Sequence, residues 1–196
     1  MISEQKQFIF IHIPKTAGNA IQNILRRYSE DEIVCNTPYQ DGVERFEINN
    51  SFGLNKHATA QDYLARLGYE SYHKKFKFTC VRNPWDRAIS YYFSPHRGVN
   101  TWNRTSFIDF LEEIQPMTAY LPDIEQLGMV MRYEQLLQDF KALCEQLSLP
   151  YEALPVRNKS VNSSPYWHYY DDELKKMVAS KFANDIELFG YQFAMQ

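Results

Sequence analysis

The chain has 196 residues, of which 44% are hydrophobic, and its mean hydropathy of -0.50 is typical of a globular protein rather than a disordered one. This length is enough for one domain with a substantial core, so we predict a single domain over residues 1–196. The formal net charge of -3 argues against general binding to nucleic acid or other polyanions, so any basic site has to be local.

The cysteine pattern and the absence of long apolar stretches predict a cellular compartment. Cys35, Cys80 and Cys144 are far apart and form neither a metal-binding spacing nor a disulfide framework, which is typical of a reducing environment. The sequence shows no secretory leader and no run of about 18 apolar residues. It therefore predicts a cytoplasmic protein without a transmembrane segment.

The first predicted unit is a strand followed by a helix, in the stretch FIFIHIPKTAGNAIQNIL. Phe8–Ile13 is a short apolar run, as expected for a central parallel strand. Apolar residues then recur at the spacing of one helix face, which predicts a helix that packs on the sheet. These residues are Ile21, Ile24, Leu25 and Tyr28.

A capping pattern, Thr59-x-x-Asp62, predicts the start of a second helix. A second buried strand is predicted over Phe76–Val81, and a helix follows it at Asn83-Pro84, because proline is favoured in a first helical turn. The apolar positions with helical spacing in these two helices are Ala60, Tyr63, Leu64 and Leu67, and Trp85, Ala88, Ile89 and Tyr92.

Three further elements are predicted in the second half of the chain. Ser106 is expected to cap a helix that runs through Ile114, and Met129–Arg132 is a third strand. Asp171 or Asp172 is expected to open a last helix that runs through Phe182. A helix is also predicted after the third strand, from the apolar positions Leu136, Phe140, Leu143 and Leu147.

Strands therefore alternate with helices along the chain. This order predicts an α/β fold with a central parallel sheet flanked by helices. Two stretches without clear periodicity, Thr37–Lys56 and Ser94–Thr105, are predicted to be loops.

The turn between the first strand and its helix has the residues of an anion-binding loop. The start of a helix presents unpaired backbone N–H groups and the positive end of its dipole. Gly18 would let the backbone approach a ligand closely, Lys15 adds a charge and Thr16 adds a hydroxyl donor. The spacing differs from G-x-x-x-x-G-K-[ST], and a plain strand-to-helix turn with a surface lysine is the alternative.

Arg82 stands where the second buried strand should end, and Ser90 lies two helical turns further on. Because ligands of open α/β sheets bind beyond the carboxyl ends of the strands, we expect Arg82 and Lys15 to face the same crevice. The arginine fork suits a terminal phosphate. The alternatives are an ion pair of Arg82 with Asp86, and a Ser90 hydroxyl that bonds to its own helix.

Five segments, in order along the chain, resemble the carbohydrate sulfotransferases: HIPKTAG, KHATA, FTCVRNPWDRAISYYF, MRYEQLLQDFKALCEQLSLP and DIELFGYQF. The resemblance extends from Phe8 to Phe193 and points to the branch that contains heparan sulfate 2-O-sulfotransferase and its small bacterial relatives. It implies a P-loop-like three-layer fold. It also implies transfer of a sulfuryl group from 3′-phosphoadenosine 5′-phosphosulfate (PAPS) to a hydroxyl of a polysaccharide, glycolipid or glycoside.

The resemblance further implies which residues bind PAPS. The loop for its 5′-phosphosulfate would be formed by Lys15, Thr16, Ala17, Gly18, Asn19 and Ala20. Arg82 and Ser90 match the positions that hold the 3′-phosphate, and Lys159, in the segment Arg157-Asn158-Lys159-Ser160, matches a late loop that closes over the nucleotide. The family commonly has Thr or Ser after the glycine, where this chain has Asn19 and Ala20, so a hydroxyl contact to phosphate is lost.

His57, in NKHATAQDYL, is the candidate general base. It lies just ahead of the predicted cap Thr59, and a neighbouring helix N-terminus would favour the neutral imidazole that a base requires. The resemblance implies that a histidine at this position takes the proton of the acceptor; the alternative is a histidine bonded to a loop carbonyl. Lys15 would stabilise charge on the oxygen between phosphorus and sulfur, or only hold the phosphate.

Two other functions stay open at this stage: a small-molecule kinase that uses ATP, and a nucleotide-binding module without catalysis. The remaining histidines are not clustered, so no metal site is predicted, and His12 is expected to be a core histidine with its polar atoms satisfied. The acceptor is expected to enter over Asp41–Lys56 and Ser94–Thr105.

Overall fold

The computed structural model describes residues 1–36, 45–155 and 164–194. Its strands are β1 (Ile2–Ser3), β2 (Phe8–Ile11), β3 (Glu32–Asn36), β4 (Arg45–Asn49), β5 (Phe76–Val81) and β6 (Met129–Arg132). Its α-helices are α1 (Gly18–Leu25), α2 (Ala60–Leu67), α3 (Tyr69–Lys74), α4 (Pro84–Tyr92), α5 (Arg104–Glu113), α6 (Leu136–Gln146), α7 (Asp172–Lys181) and α8 (Ala183–Phe189).

The central sheet has the strand order β1-β2-β5-β6. β2 pairs with β5 and β5 with β6 in parallel, while the short β1 is antiparallel to β2. Ile11 lies opposite Thr79, so β2 and β5 end close together at the same edge of the sheet. The predicted α/β fold with a central parallel sheet is therefore confirmed.

Alternation along β2 divides the core into two parts. Phe8 and Phe10 point to one face of the sheet and Ile9 and Ile11 to the other, and all four are fully buried. The phenylalanine face packs against α1 and α6, whereas the isoleucine face packs against α2, α4 and α7. A strand buried on both faces explains why this stretch reads as an uninterrupted apolar run.

Local capping fixes where several helices begin. Thr59 and Asp62 form a reciprocal capping box at the start of α2, as predicted. The helix predicted from Ser106 begins earlier, at Arg104, because the Asn103 side chain accepts a hydrogen bond from the Ser106 backbone N–H at 2.9 Å. Asp171 caps α7, which is not the last helix, since α8 follows it.

The loop predicted over Thr37–Lys56 is wrong for part of its length. Arg45–Asn49 is β4, which pairs antiparallel with β3 in a separate two-stranded sheet. The sequence RFEIN alternates polar and apolar residues, which is the pattern of a half-buried strand. Residues 37–44 lie outside the described residues.

The stretch Ser94–Thr105, which was predicted to be a loop, is irregular except for a short 3₁₀ turn at Pro95–Arg97 and the start of α5.

Across the described ranges 1–36, 45–155 and 164–194, no helix is long and apolar enough to cross a membrane.

Candidate functional site

A cleft of about 430 Å³ opens at the carboxyl ends of β2 and β5. Most of the residues that sequence analysis selected line it: Lys15, Ala17, Gly18, Asn19, Ala20, His57, Arg82 and Ser90. The volume lies within the range of about 300–1,000 Å³ that is common for small-molecule sites. The crossover between parallel strands thus brings distant parts of the chain to one crevice.

The loop after β2 adopts an unusual backbone conformation. Lys15 and Ala17 have φ angles of 68° and 72°, in the left-handed region that non-glycine residues rarely enter. Ala17 precedes α1, and no side chain caps that helix. Backbone strain of this kind concentrates at functional loops, and an uncapped helix start offers its N–H groups to an anion.

A buried arginine supports the loop after β2 through hydrogen bonds to backbone carbonyls. Arg87, on α4, is 1% exposed and donates from Nε to the Pro14 carbonyl at 3.0 Å and from Nη1 to the Gln115 carbonyl at 3.0 Å. The bond to Pro14 fixes the backbone immediately before Lys15. Arg87 therefore gives the strained loop a rigid support.

Arg82 connects the ends of the two central strands. Its Nη1 donates to the Lys15 carbonyl at 3.1 Å, its Nε donates to the Asp86 carboxylate at 2.8 Å, and its guanidinium lies 3.9 Å from the centre of the Tyr133 ring. The ion pair with Asp86, which the sequence offered as an alternative role, is present. Nη2 makes no hydrogen bond to the described residues and remains available as a donor.

Thr16 and Ser90 differ in how they relate to the cleft. Ser90 lines it from α4, whereas Thr16 is fully buried and its hydroxyl donates to the Ile13 carbonyl at 2.9 Å. The Thr16 side chain closes the turn, so a contact with a ligand would have to come from its backbone. Lys159, with the rest of Arg157–Ser160, lies outside the described residues.

Lys15 extends from the loop towards the segment after α4. Its Nζ donates to the Ser94 hydroxyl at 3.3 Å, and that oxygen lies 2.9 Å from His96 Nδ1. Ser94 is 1% exposed, and all three residues line the cleft. The segment predicted to be an acceptor loop is therefore linked to the lysine of the first loop.

His57 is held by the end of β2. Its Nδ1 lies 2.8 Å from the carbonyl oxygen of His12, and its backbone N–H donates to the Asn55 side chain at 2.8 Å. A carbonyl oxygen only accepts, so Nδ1 carries the proton and the neutral ring keeps a lone pair on Nε2. His57 is therefore bonded to a loop carbonyl, as in the alternative hypothesis, and its Nε2 has no hydrogen-bond partner among residues 1–36, 45–155 and 164–194.

Burial keeps the imidazole of His57 neutral. It lowers the pKa of His57 to about 4, with the nearby charges of Lys56 and Arg87 acting in the same direction and the bond to the His12 carbonyl opposing them. The sequence had attributed the neutral form to the helix dipole at Thr59. In the structure, burial is the largest cause of the lowered pKa of His57.

We expect the imidazole of His57 to titrate near pH 4 in an NMR titration of the folded protein, rather than near the ordinary histidine pKa of about 6.5. Because the unfolded chain takes up this proton at higher pH, the stability that neutral His57 contributes is complete above about pH 6.5 and is lost as the pH falls through about 4. In His57→Asn the resonance and its share of the pH-dependent stability should both disappear. An inflection between pH 6 and 7 would contradict the described burial.

His12 departs from the expectation of a satisfied core histidine. It is 3% exposed, but its Nδ1 has no hydrogen-bond partner among the described residues, and the residue lines the cleft. Its ring centre lies 4.7 Å from that of His57. Burial is also the main reason that the pKa of His12 lies well below its ordinary value.

The ring of His12 also explains the glycine of the loop. A Cβ on Gly18 would lie 1.8 Å from His12 Cδ2 and Nε2, so no side chain fits there. Sequence analysis explained Gly18 by the close approach of a ligand. In the structure, the group that requires a glycine at this position is the His12 side chain.

We expect Gly18→Ala to destabilise the fold by about 1–3 kcal/mol, because the added methyl overpacks the site. Thermal unfolding measures this as a fall of several degrees in melting temperature. In the His12→Ala background the space is open, and the same substitution should cost little. Equal losses in both backgrounds would show that the His12 ring is not the obstacle.

The family of the chain follows from comparison with known proteins. A family model described as "Sulfotransferase family" matches residues 1–192, which is almost the whole chain. The chain belongs to the sulfotransferase family. A search among curated proteins found no match.

Several residues of the sulfotransferase cleft were not selected from the sequence. Lys56 precedes His57 and is largely buried, with Nζ 3.9 Å from the Glu47 carboxylate, and both residues line the cleft. The available signal for Lys56 was its place as the first residue of the motif KHATA. For Glu47 the signal was the alternating pattern of β4, which points every second side chain to the same face.

Proposed function

We propose that this sulfotransferase moves the sulfuryl group of PAPS to a hydroxyl of a carbohydrate. The observation that carries the proposal is the convergence of Lys15, Arg82 and His57 on one cleft. Lys15 and Arg82 follow adjacent parallel strands, and His57, which lines the same cleft, has no partner for Nε2 among the described residues. Family membership supports sulfuryl transfer over the ATP-dependent kinase that the sequence left open.

In this proposal, the first loop binds the 5′-phosphosulfate end of the nucleotide. The uncapped start of α1 offers the backbone N–H groups of Gly18 and Asn19, while the Ala20 N–H donates to the Ala17 carbonyl at 2.9 Å. Lys15 adds a positive charge. The side chains of Asn19 and Ala20 provide no hydroxyl, so backbone donors and Lys15 supply most of the binding. The left-handed Lys15 and Ala17 hold these donors in a fixed arrangement.

Arg82 and Ser90 bind the 3′-phosphate in the proposed complex. Arg82 is already oriented by Asp86, the Lys15 carbonyl and the Tyr133 ring, so it loses little freedom on binding. Its remaining donors, on Nη2, are available for phosphate oxygens. Closure of a late loop by Lys159 remains a prediction from the resemblance.

The proposed chemistry needs one base and one positive donor. PAPS supplies an activated sulfuryl group, and the acceptor oxygen forms a bond to sulfur as the bond from sulfur to the 5′-phosphate oxygen breaks. His57 Nε2 takes the proton of the acceptor hydroxyl. Lys15 stabilises the charge that gathers on the leaving oxygen.

In the proposed complex, the acceptor lies against a part of the cleft that combines aromatic and polar side chains. Tyr91 and Phe93 line it together with Ser94 and His96. Sugar rings pack their C–H faces on aromatic side chains and use hydroxyls for hydrogen bonds, so this composition supports a carbohydrate acceptor. Specificity for one sugar would depend on the residues of this part of the cleft rather than on the fold.

Two measurements test the proposal. Calorimetry should detect binding of the desulfated product, 3′-phosphoadenosine 5′-phosphate (PAP), in preference to ATP with Mg²⁺. Transfer of radiolabelled sulfate from PAPS to neutral and carboxylated oligosaccharides and alkyl glycosides should proceed in the presence of EDTA. Preference for ATP with Mg²⁺ would support a kinase, and PAP binding without transfer to any acceptor would support a binding module.

A further inference from the structure

The imidazole of His12 lies between the loop after β2 and the proposed base. One side of the ring fills the space above Gly18, where a Cβ would lie 1.8 Å from Cδ2 and Nε2. The ring centre lies 4.7 Å from that of His57, at an interplanar angle of 60°. The ring is also stacked against Phe10, with centroids 5.7 Å apart and an interplanar angle of 14°. These neighbours define the position of the ring on three sides.

Packing alone does not account for a histidine at this position. The side chain is almost completely buried, and its Nδ1 has no partner at hydrogen-bond geometry in the described part of the chain. The buried Gln22 side chain, whose amide atoms also lack such a partner, is near enough to raise the pKa of His12 but does not satisfy Nδ1. An unpartnered buried polar atom destabilises a fold, and an apolar residue of similar size would avoid that cost. Residues that oppose stability in this way are concentrated at functional sites.

We propose that His12 is a positioning residue for sulfuryl transfer, whose ring sets the separation between His57 and the first turn of α1. This inference rests on the proposed function, in which the loop at Gly18 holds the sulfuryl donor and His57 takes the proton of the acceptor. The acceptor oxygen, the sulfur and the leaving oxygen must be aligned between these two groups. A rigid ring in contact with both is suited to maintain that alignment.

The connection of His12 to His57 can be divided experimentally into two parts. The His57 Nδ1 proton is bound by the backbone carbonyl of His12, which every substitution at this position retains. The ring contact is lost in His12→Leu, which fills a similar volume and removes the unpartnered nitrogen. This variant therefore tests the ring without removing the bond that orients His57.

We expect His12→Leu to melt at or above the temperature of the wild-type protein, yet to transfer sulfate with a kcat lower by roughly tenfold or more, since a misplacement of about 1 Å costs up to about 10²-fold. Its Kd for PAP should stay within about threefold of the wild-type value, because the substitution removes none of the groups that bind the nucleotide in the proposed complex. His12→Ala should show the same fall in kcat with reduced stability. Phe8→Leu is the matched control: it changes a buried ring of the same strand, which packs on Phe78 with centroids 5.6 Å apart and an interplanar angle of 60°, and it should retain its kcat.

A wild-type kcat in His12→Leu would overturn the positioning role. So would a kcat that falls in proportion to the melting temperature in both His12→Ala and Phe8→Leu. Either result would leave the proposed function standing. A loss explained by weaker PAP binding would overturn the positioning role as well. Failure of the wild-type protein to bind PAP would instead overturn the proposed function, and this inference with it.

Discussion

Replacement of His57 by alanine is expected to lower the kcat of sulfate transfer by about 10²- to 10⁴-fold, the usual contribution of a positioned general base. The Kd for PAP should change little, because the proposed contacts of the nucleotide are made by the first loop and by Arg82. The physical reason is the free Nε2 of a neutral ring whose other nitrogen is bound to the His12 carbonyl at 2.8 Å. Steady-state transfer rates together with calorimetry of PAP binding separate the two effects.

The chain offers a matched control for this substitution. His73 also has its Nδ1 2.8 Å from a backbone carbonyl, that of Tyr69, but it is exposed on α3 and is not among the residues that line the cleft. His73→Ala should therefore transfer sulfate at the wild-type rate. If His57→Ala kept a near wild-type kcat, the proton of the acceptor would have to go to another group and His57 would not be the base.

The second large effect is expected from Arg82→Ala. Loss of a charge-assisted contact to the 3′-phosphate should weaken PAP binding by about 10- to 150-fold, which corresponds to about 1.5–3 kcal/mol. Binding of adenosine 5′-phosphate, which lacks that phosphate, should weaken by only a few fold through the lost contact with the Lys15 carbonyl. The ratio of the two affinities, measured by calorimetry, reports the role of Arg82 directly.

Arg132 provides the control for this experiment. It ends β6, the strand next to β5, and its guanidinium lies 5.0 Å from the centre of the Tyr191 ring, much as that of Arg82 lies over Tyr133. It donates to the Phe189 carbonyl and is not among the residues that line the cleft. Arg132→Ala should leave the preference for PAP over adenosine 5′-phosphate unchanged. Equal losses of both ligands in Arg82→Ala would remove Arg82 from the 3′-phosphate site.

The sheet and the meeting of its strand ends could be predicted because they depend on local patterns. β5 and β6 have the predicted bounds, since each is a short segment rich in apolar residues next to a clear break. The parallel order of β2 and β5 then brings Lys15 and Arg82 to one edge, as expected for an α/β sheet. These conclusions needed only the alternation of strands and helices.

Features that depend on tertiary contacts could not be predicted in the same way. Lys15 and Ala17 adopt left-handed conformations that their residue types disfavour. The contacts around this strained loop, such as the hydrogen bond from Arg87 to the Pro14 carbonyl, come from residues that are distant in sequence. The contact of His12 with Gly18 likewise forms only when β2 and α1 pack. The sequence pattern selects the loop residues, but it does not show the tertiary contacts that explain their conformations.

The structure of the protein with PAP bound would test the central claim most directly. We expect the 5′-phosphate to lie against the backbone N–H groups of Gly18 and Asn19 with Lys15 beside it, and the 3′-phosphate to contact Arg82 Nη2 and Ser90. His57 Nε2 should face the position of the missing sulfuryl group. A nucleotide bound elsewhere, or bound with its two phosphates exchanged between these groups, would contradict the account.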